Sequence, residues 1–305
     1  MTRPAIRARR RREGGVALLI VLWVLGLLAA LAVILAADAR TAVQTSEVTI
    51  ALARAQAAAD AGVWLTVRDV AGGAPGAAGP VDGTPRRIAF AGFALDVSVQ
   101  DEGGKVDLNF AGPWMLRAAL TAAGAPGPEI DGLVREIVAW RTPLSAGAAA
   151  YGGGAAGPYP GRSYGPAHAP FAGVDDLRLL PGITPALFDR LRRLVTVYSQ
   201  DPLIDPRSAP LILLDALPGI DPQAAAAYVA RRDRLGGGDA LLSALGAPDD
   251  LSTQGSPVAY TIRVDAVGGG VRFVREAVIV LTPDGVRPYR VARWQQGAED
   301  DGGGA

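Results

Sequence analysis

Four oxygen-bearing side chains, Asp101, Glu102, Asp107 and Asn109, fall within the nine-residue phrase DEGGKVDLN, around the pair Gly103-Gly104. Carboxylate and amide oxygens at that density suit a hard cation, calcium above all. A glycine turn flanked by polar caps uses the same residues without an ion, and we read them as turn caps. His168 is the only histidine, so it has no second imidazole to partner it, and it is read as neither ligand nor catalyst. The chain has no cysteine, which excludes disulfides and thiolate metal sites. No Ser/His/Asp set, histidine pair or phosphate-cradling glycine loop stands out. The chain is therefore read as a non-enzyme that needs no cofactor.

Two stretches echo each other. Asp176–Pro185 (DLRLLPGITP) is followed by a helical run over Ala186–Val195, and Leu214–Pro222 (LDALPGIDP) by one over Gln223–Arg232. Each reads as a short helix, a Pro-Gly-Ile turn, then Thr184 or Asp221 as N-cap with proline at the first helical position. This is a helix-hairpin-helix pattern, and such hairpins often grip nucleic-acid phosphates. That use needs bare backbone N–H groups at a glycine-flanked helix start. Here Asp221 places a carboxylate at that point, Pro222 removes a donor, and Thr184-Pro185 offers no second glycine. Arginines 190, 192, 193, 231, 232 and 234 could still form a basic face. No nucleic-acid partner is expected. A membrane-anchored hairpin protein that binds DNA during uptake is the alternative function.

These residues sit in a chain whose periodicity alternates between strands and helices. Phe93, Leu95, Val97 and Val99 alternate with polar residues as a half-buried strand. After the turn at Asp101–Gly104, Val106, Leu108 and Phe110 alternate again as the return strand. Helical spacing follows over Met115–Ala123 and Glu129–Trp140, then a long loop over residues 143–170. Strands resume at Val258–Val267, turn at Gly268-Gly269-Gly270, continue over Val271–Thr282, turn again at Pro283-Asp284-Gly285 and end in Val286–Trp294. The expected fold is α+β: a long N-terminal helix on a small antiparallel sheet, with an inserted all-helical domain. Its parts are a leader (1–15), the helix (16–70, with 16–37 apolar), sheet segments 71–112 and 253–296, the helical insertion 113–252 and a disordered tail 297–305.

The N-terminus carries the strongest signal. Six arginines between Arg3 and Arg12, with Glu13, precede Gly14-Gly15, and Val16–Ala37 then runs twenty-two residues without a formal charge. About twenty apolar residues span a bilayer as a helix, and the arginines hold their end in the cytoplasm. The apolar run exceeds a signal peptide's usual 7–15 residues. No proline interrupts Val16–Val70, which as one helix would measure about 80 Å. Val48, Leu52, Ala55, Ala59, Val63 and Val67 form a single stripe along its second half. Beyond residue 15 the chain holds 24 basic and 29 acidic residues, which gives no electrostatic footprint for nucleic acid.

A short basic segment, a glycine and an apolar helix together resemble a type IV prepilin-like leader. In that family a dedicated peptidase cuts after the glycine and methylates the new amino group, so the resemblance assigns Gly15 and Val16 as the processing positions. Most members carry glutamate as the fifth mature residue. Here it is Ile20, and the K-type minor pseudopilins of type II secretion systems likewise lack the glutamate. DEGGKVDLN, FAGVDDLRLLPGITP (Phe171–Pro185), Thr196-Val-Tyr-Ser and LDALPGI occur in the order that family shows. The resemblance implies a single-pass inner-membrane protein with a periplasmic domain that caps a pseudopilus tip. Its partners would be the I- and J-type minor pseudopilins, the prepilin peptidase and the inner-membrane secretion machinery. The family's acidic stretch after the tryptophan, tied to calcium in some members, reads Ala139-Trp140-Arg141-Thr142-Pro143 here. No carboxylate occurs between Glu136 and Asp175, so that calcium site is expected to be lost.

Overall fold

The computed structural model describes residues 14–72, 79–144, 158–235, 259–282 and 287–297. The chain divides into two compact units, Met1–Arg54 and Ala55–Ala305. Helix α1 (Gly14–Ala71) contributes to both. Within the first unit, Ala17–Ala36 has a mean hydropathy of 3.1 and is long and apolar enough to cross a membrane. Its side chains are all exposed, as are Val48 (60%) and Leu52 (44%). The predicted stripe thus begins to be buried only at Ala55.

The second unit is α+β. Strands β1 (Arg86–Phe90), β2 (Phe93–Asp101), β5 (Ala259–Gly268), β6 (Val271–Leu281) and β7 (Tyr289–Gln296) form one antiparallel sheet in the order β1-β2-β5-β6-β7. The hairpin loops are tight because the chain supplies residues that tolerate positive φ. Gly269 and Gly270 join β5 to β6 at φ 60° and 75°, and Ala91-Gly92 joins β1 to β2 at φ 50° and 85°. Positive φ at both central residues matches the right-handed twist of the flanking strands.

The alternation of β2 and β5 sends Leu95, Val97, Val99, Ile262, Val264 and Ala266 to one face, where they pack against Ala55, Ala58, Ala59, Val63 and Val67 of α1. Small residues set the distance: a Cβ on Gly62 would lie 2.9 Å from Val264 and 3.1 Å from Leu95. Burying each aliphatic side chain here contributes ~1.5–3 kcal/mol. Arg275 of β6 reaches Asp60 of α1 at 2.6 Å and lies over Phe273 and Trp294.

A second core lies among the helices: α2 (Pro113–Ala122), α3 (Gly127–Arg141), a 3-10 helix (Val174–Leu179), α4 (Pro185–Leu191), α5 (Leu211–Asp215) and α6 (Pro222–Leu235). Met115, Leu116, Leu120, Leu133, Ile137, Leu177, Phe188 and Leu213 fill it. It also contains a two-stranded parallel sheet, β3 (Val106–Asp107) with β4 (Val195–Thr196).

That small sheet corrects one expectation. Val106–Phe110 does not return along the strand before it. The chain turns through a 3-10 helix (Glu102–Gly104), and the Val106 and Leu108 N–H groups donate to the Leu194 and Thr196 carbonyls, both at 2.8–2.9 Å. Val106 and Leu108 join the helical core, whereas Phe110 is 52% exposed. β7 begins at Tyr289, later than Val286. The turn at Pro283-Asp284-Gly285, the tail after Gly297, residues 145–157 of the long loop, the end of the helical segment (236–252) and most of the leader lie outside the described residues.

Candidate functional site at the junction of sheet and helices

The phrase Asp101–Asn109 is where β2 leaves the large sheet and enters the helical core. Each of its polar side chains is spent on a neighbour. Asp101, buried, accepts the Gly103 N–H at 2.8 Å and so caps the 3-10 helix. Glu102 accepts from the Lys105 ammonium at 2.6 Å and from the Thr261 hydroxyl at 2.7 Å, tying the turn to β5. Asp107 is fully buried. One oxygen accepts the Asn109 and Phe110 N–H groups, at 2.8 and 3.2 Å. The other accepts the Ser199 hydroxyl at 3.1 Å and the Gln200 N–H at 2.9 Å. It thereby links the segments that follow β3 and β4. Asn109 makes a reciprocal pair with the backbone of Phe171, accepting its N–H at 2.7 Å and donating to its carbonyl at 3.1 Å.

Further contacts close the junction. Asp205 is buried, receives both N–H edges of Arg207, and its own backbone N–H donates to the Gly103 carbonyl at 2.7 Å. Gln100 donates to the carbonyls of Asp101 and Ser208. Gly104 packs so closely on this segment that a Cβ there would lie 2.4 Å from the Ser208 carbonyl oxygen. Arg141 donates to the Leu108 and Ala111 carbonyls, both at 2.6 Å.

Electrostatics follow the burial. Asp101 is pushed up to about 7, first by burial and then by Asp205 and Glu102, against the opposing Gly103 N–H and Arg207. Burial also raises Asp107, although its four donors pull the other way. Desolvation lowers Arg141, countered by Asp107. Among the described residues no group of three or more His, Asp or Glu has metal-holding geometry. The arrangement acts as a set of internal caps that fix how the two cores meet.

The other residues singled out in the sequence are dispersed. His168, at φ 52°, donates from Nδ1 to the Thr142 carbonyl at 3.1 Å and pins the loop after α3. The two echoing stretches each contain a glycine at positive φ after proline: Gly182 at 83° and Gly219 at 85°. In each, the following helix start is closed by its own side chain, Thr184 accepting the Leu187 N–H and Asp221 the Ala224 N–H. The first stretch opens with a 3-10 helix, the second with α5. The helices after the turns are Pro185–Leu191 and Pro222–Leu235, the first shorter than expected because Arg192 and Arg193 turn into β4. Gly15 and Val16 lie at the start of α1. Nothing in the local sequence pattern marks Asp205, Arg141 or Gln100 as members of the junction. Lone residues outside any motif carry no signal of a contact thirty to a hundred positions away.

Residues 100–200, which begin at this junction and run through β4, match the family model of type II secretion system protein K. The fold matches GspK in the crystal structure of the GspK–GspI–GspJ complex from the enterotoxigenic Escherichia coli type 2 secretion system. The TM-score is 0.55 at 14% identity, over 83% of this chain and 99% of that one. Among curated proteins nothing is significantly similar. A family match that starts at the capped turn and takes in both small strands, in a chain whose fold is that of GspK, makes residues 100–200 similar to protein K of type II secretion systems.

Proposed function

We propose that this chain caps the tip of a periplasmic pseudopilus and so supports export of folded proteins across the outer membrane. The observation that carries this is the protein K match over residues 100–200. In this reading Ala17–Ala36 anchors the chain in the inner membrane, with the arginine-rich end cytoplasmic and the rest periplasmic. The prepilin peptidase cuts after Gly15 and methylates Val16. I- and J-type minor pseudopilins, the proteins that accompany GspK in its complex, are the neighbours, and the inner-membrane secretion machinery drives assembly. The leader ends at residue 15. A pilin-like sheet domain (71–112 and 253–296) carries a helical insertion (113–252), within which the two helix-hairpin-helix units act as braces.

The tip position has a physical rationale. A subunit with a neighbour on one side only can lack the charged partner that a buried amino terminus would otherwise need, and Ile20 offers none. It can also carry a bulky insertion that a subunit repeated through a helical lattice could not. The DNA-uptake alternative loses support, because both hairpin helix starts are closed by Thr184 and Asp221.

The test is the mature N-terminus, read by mass spectrometry from membranes with an active prepilin peptidase, beside Gly15→Ala. A chain that starts at methylated Val16, with the variant uncut, is expected. An intact leader, or a cut near Ala39, would overturn the assembly reading.

A further inference from the structure

On the sheet face opposite α1, a cleft of about 330 Å³ opens between strands β5–β7 and the segments at Val174–Asp175 and Phe188–Tyr198. That volume lies within the ~300–1,000 Å³ typical of ligand sites. Lys105, Arg192, Arg193, Arg263 and Arg293 line it, against only three carboxylates, Glu102, Asp175 and Glu276. The surplus of positive charge is local: beyond residue 15 the chain holds 24 basic and 29 acidic residues. The three carboxylates are already engaged. Glu102 holds Lys105 and Thr261, Asp175 holds Arg293 at 2.8 Å, and Glu276 accepts from the Gln295 amide at 2.9 Å. Arg192 and Arg193 are exposed and form no ion pair among the described residues. Their place after the last turn of α4 suits the helix dipole, yet a half-charge on the carbonyls does not neutralise two guanidinium groups. Val195, Tyr198 and Val278 give the cleft apolar wall as well.

We propose that this cleft binds an acidic segment of a partner polypeptide, whose Asp or Glu side chains meet Arg192 and Arg193 while its backbone lies against the apolar wall. Guanidinium forks favour carboxylates in bidentate geometry. Nucleic acid fits less well, since Glu102, Asp175 and Glu276 stand in the same cleft and would repel phosphates. Binding here does not require cleavage at Gly15, so this test and the processing test fail independently.

The experiment titrates the full-length protein in detergent with a fluorescein-labelled hexaglutamate peptide, with hexalysine and a short DNA duplex as comparators. The expected result is saturable binding of hexaglutamate alone, weakened about tenfold between low and physiological salt as surface charges are screened. Arg192→Glu/Arg193→Glu, at two exposed positions, should weaken it by about tenfold or more with an unchanged thermal melt. Binding that persists in that variant would locate the site elsewhere, on the leader arginines for instance, and overturn the proposal. So would tighter binding of the duplex, or no saturable binding. Hexaglutamate binding that appears only after deletion of residues 298–305 would also overturn it, since the occupant would then be the chain's own Glu299, Asp300 and Asp301.

Discussion

Gly103 and Gly104 look equivalent in sequence but not in the fold, and substituting each by alanine separates them. A Cβ on Gly103 would meet the Asp101 carboxylate oxygen at 3.2 Å, the end of a side chain, and Asp205 Cβ at 3.8 Å. A Cβ on Gly104 would meet the Ser208 carbonyl oxygen at 2.4 Å, its carbon at 2.5 Å and the Ala209 nitrogen at 2.7 Å. All three are backbone atoms, and Ser208 and Ala209 are themselves fixed by bonds to the Asp205 carbonyl. Relief of the clash would have to push the 3-10 helix away from residues 205–209. That motion stretches the bond from the Asp205 N–H to the Gly103 carbonyl and the one from Gln100 to Ser208. Overpacking typically costs 1–3 kcal/mol, and each lost bond adds about 1 kcal/mol. Gly104→Ala should therefore cost about 3–5 kcal/mol and Gly103→Ala about 1 kcal/mol or less. Denaturant unfolding followed by tryptophan fluorescence measures both. Equal losses, within about 0.5 kcal/mol, would show that the close approach is not what these glycines serve.

Three further outcomes follow from the same geometry. Asp101 is pushed up to about 7 by burial, so its folded-state pKa lies above the ordinary 3.8. Its contribution is then complete below that value and lost as pH rises through about 7, a swing of ~4 kcal/mol. Asp101→Asn keeps an acceptor for the Gly103 N–H. It should be more stable than wild type at pH 8 and lose that advantage near pH 4; parallel stability curves would refute the assignment. Asn109→Ala strips both partners from the Phe171 backbone and should cost about 2–3 kcal/mol, while Asn109→Asp, which keeps only the acceptor, should fall between. Asp60→Ala leaves the buried Arg275 guanidinium unpaired between Phe273 and Trp294. It should cost about 2–3 kcal/mol, and adding Arg275→Met should recover part of that in a double-mutant cycle.

What the sequence made legible was local. The alternation of β2 and β5, the paired positive-φ glycines at 269 and 270, and the caps at Thr184 and Asp221 all follow from residues within a few positions of one another. The order of the motifs carried the family resemblance, and residues 100–200 bore it out. The fate of Val106–Phe110 was not legible. An apolar alternation reads identically whether its partner is β2 or a strand ninety residues on, and only the Leu194 and Thr196 carbonyls decide. The stripe on α1 misled at Val48 and Leu52 for a related reason: periodicity names a face, not where the sheet beneath it ends. In the acidic phrase Asp101 and Asp107 cap their own turns as read, whereas Glu102 and Asn109 reach Thr261 and Phe171, far along the chain. That Asp107 caps the segment after β4 as well as its own turn depends on a contact with Ser199 and Gln200.

That double cap bears on calcium. A hard cation needs six to eight oxygen ligands with lone pairs to give, and both oxygens of Asp107 are already held by three N–H groups and a hydroxyl. To bind a cation they would have to release the segments after β3 and β4, whose pairing positions Val106 and Leu108 in the helical core. Glu102 is held likewise by Lys105, which already supplies the positive charge a cation would bring. Burial pushes Asp101 up to about 7, so it is only partly ionised at neutral pH, which weakens any attraction for a metal. Millimolar calcium should therefore leave the melting temperature of the full-length protein unchanged to within about 1 °C, whereas saturation at ~100 times a dissociation constant would add about 2.7 kcal/mol, or several degrees. A rise of that size, abolished by Asp107→Asn, would mean that the cation displaces these donors and that the junction is a metal site after all.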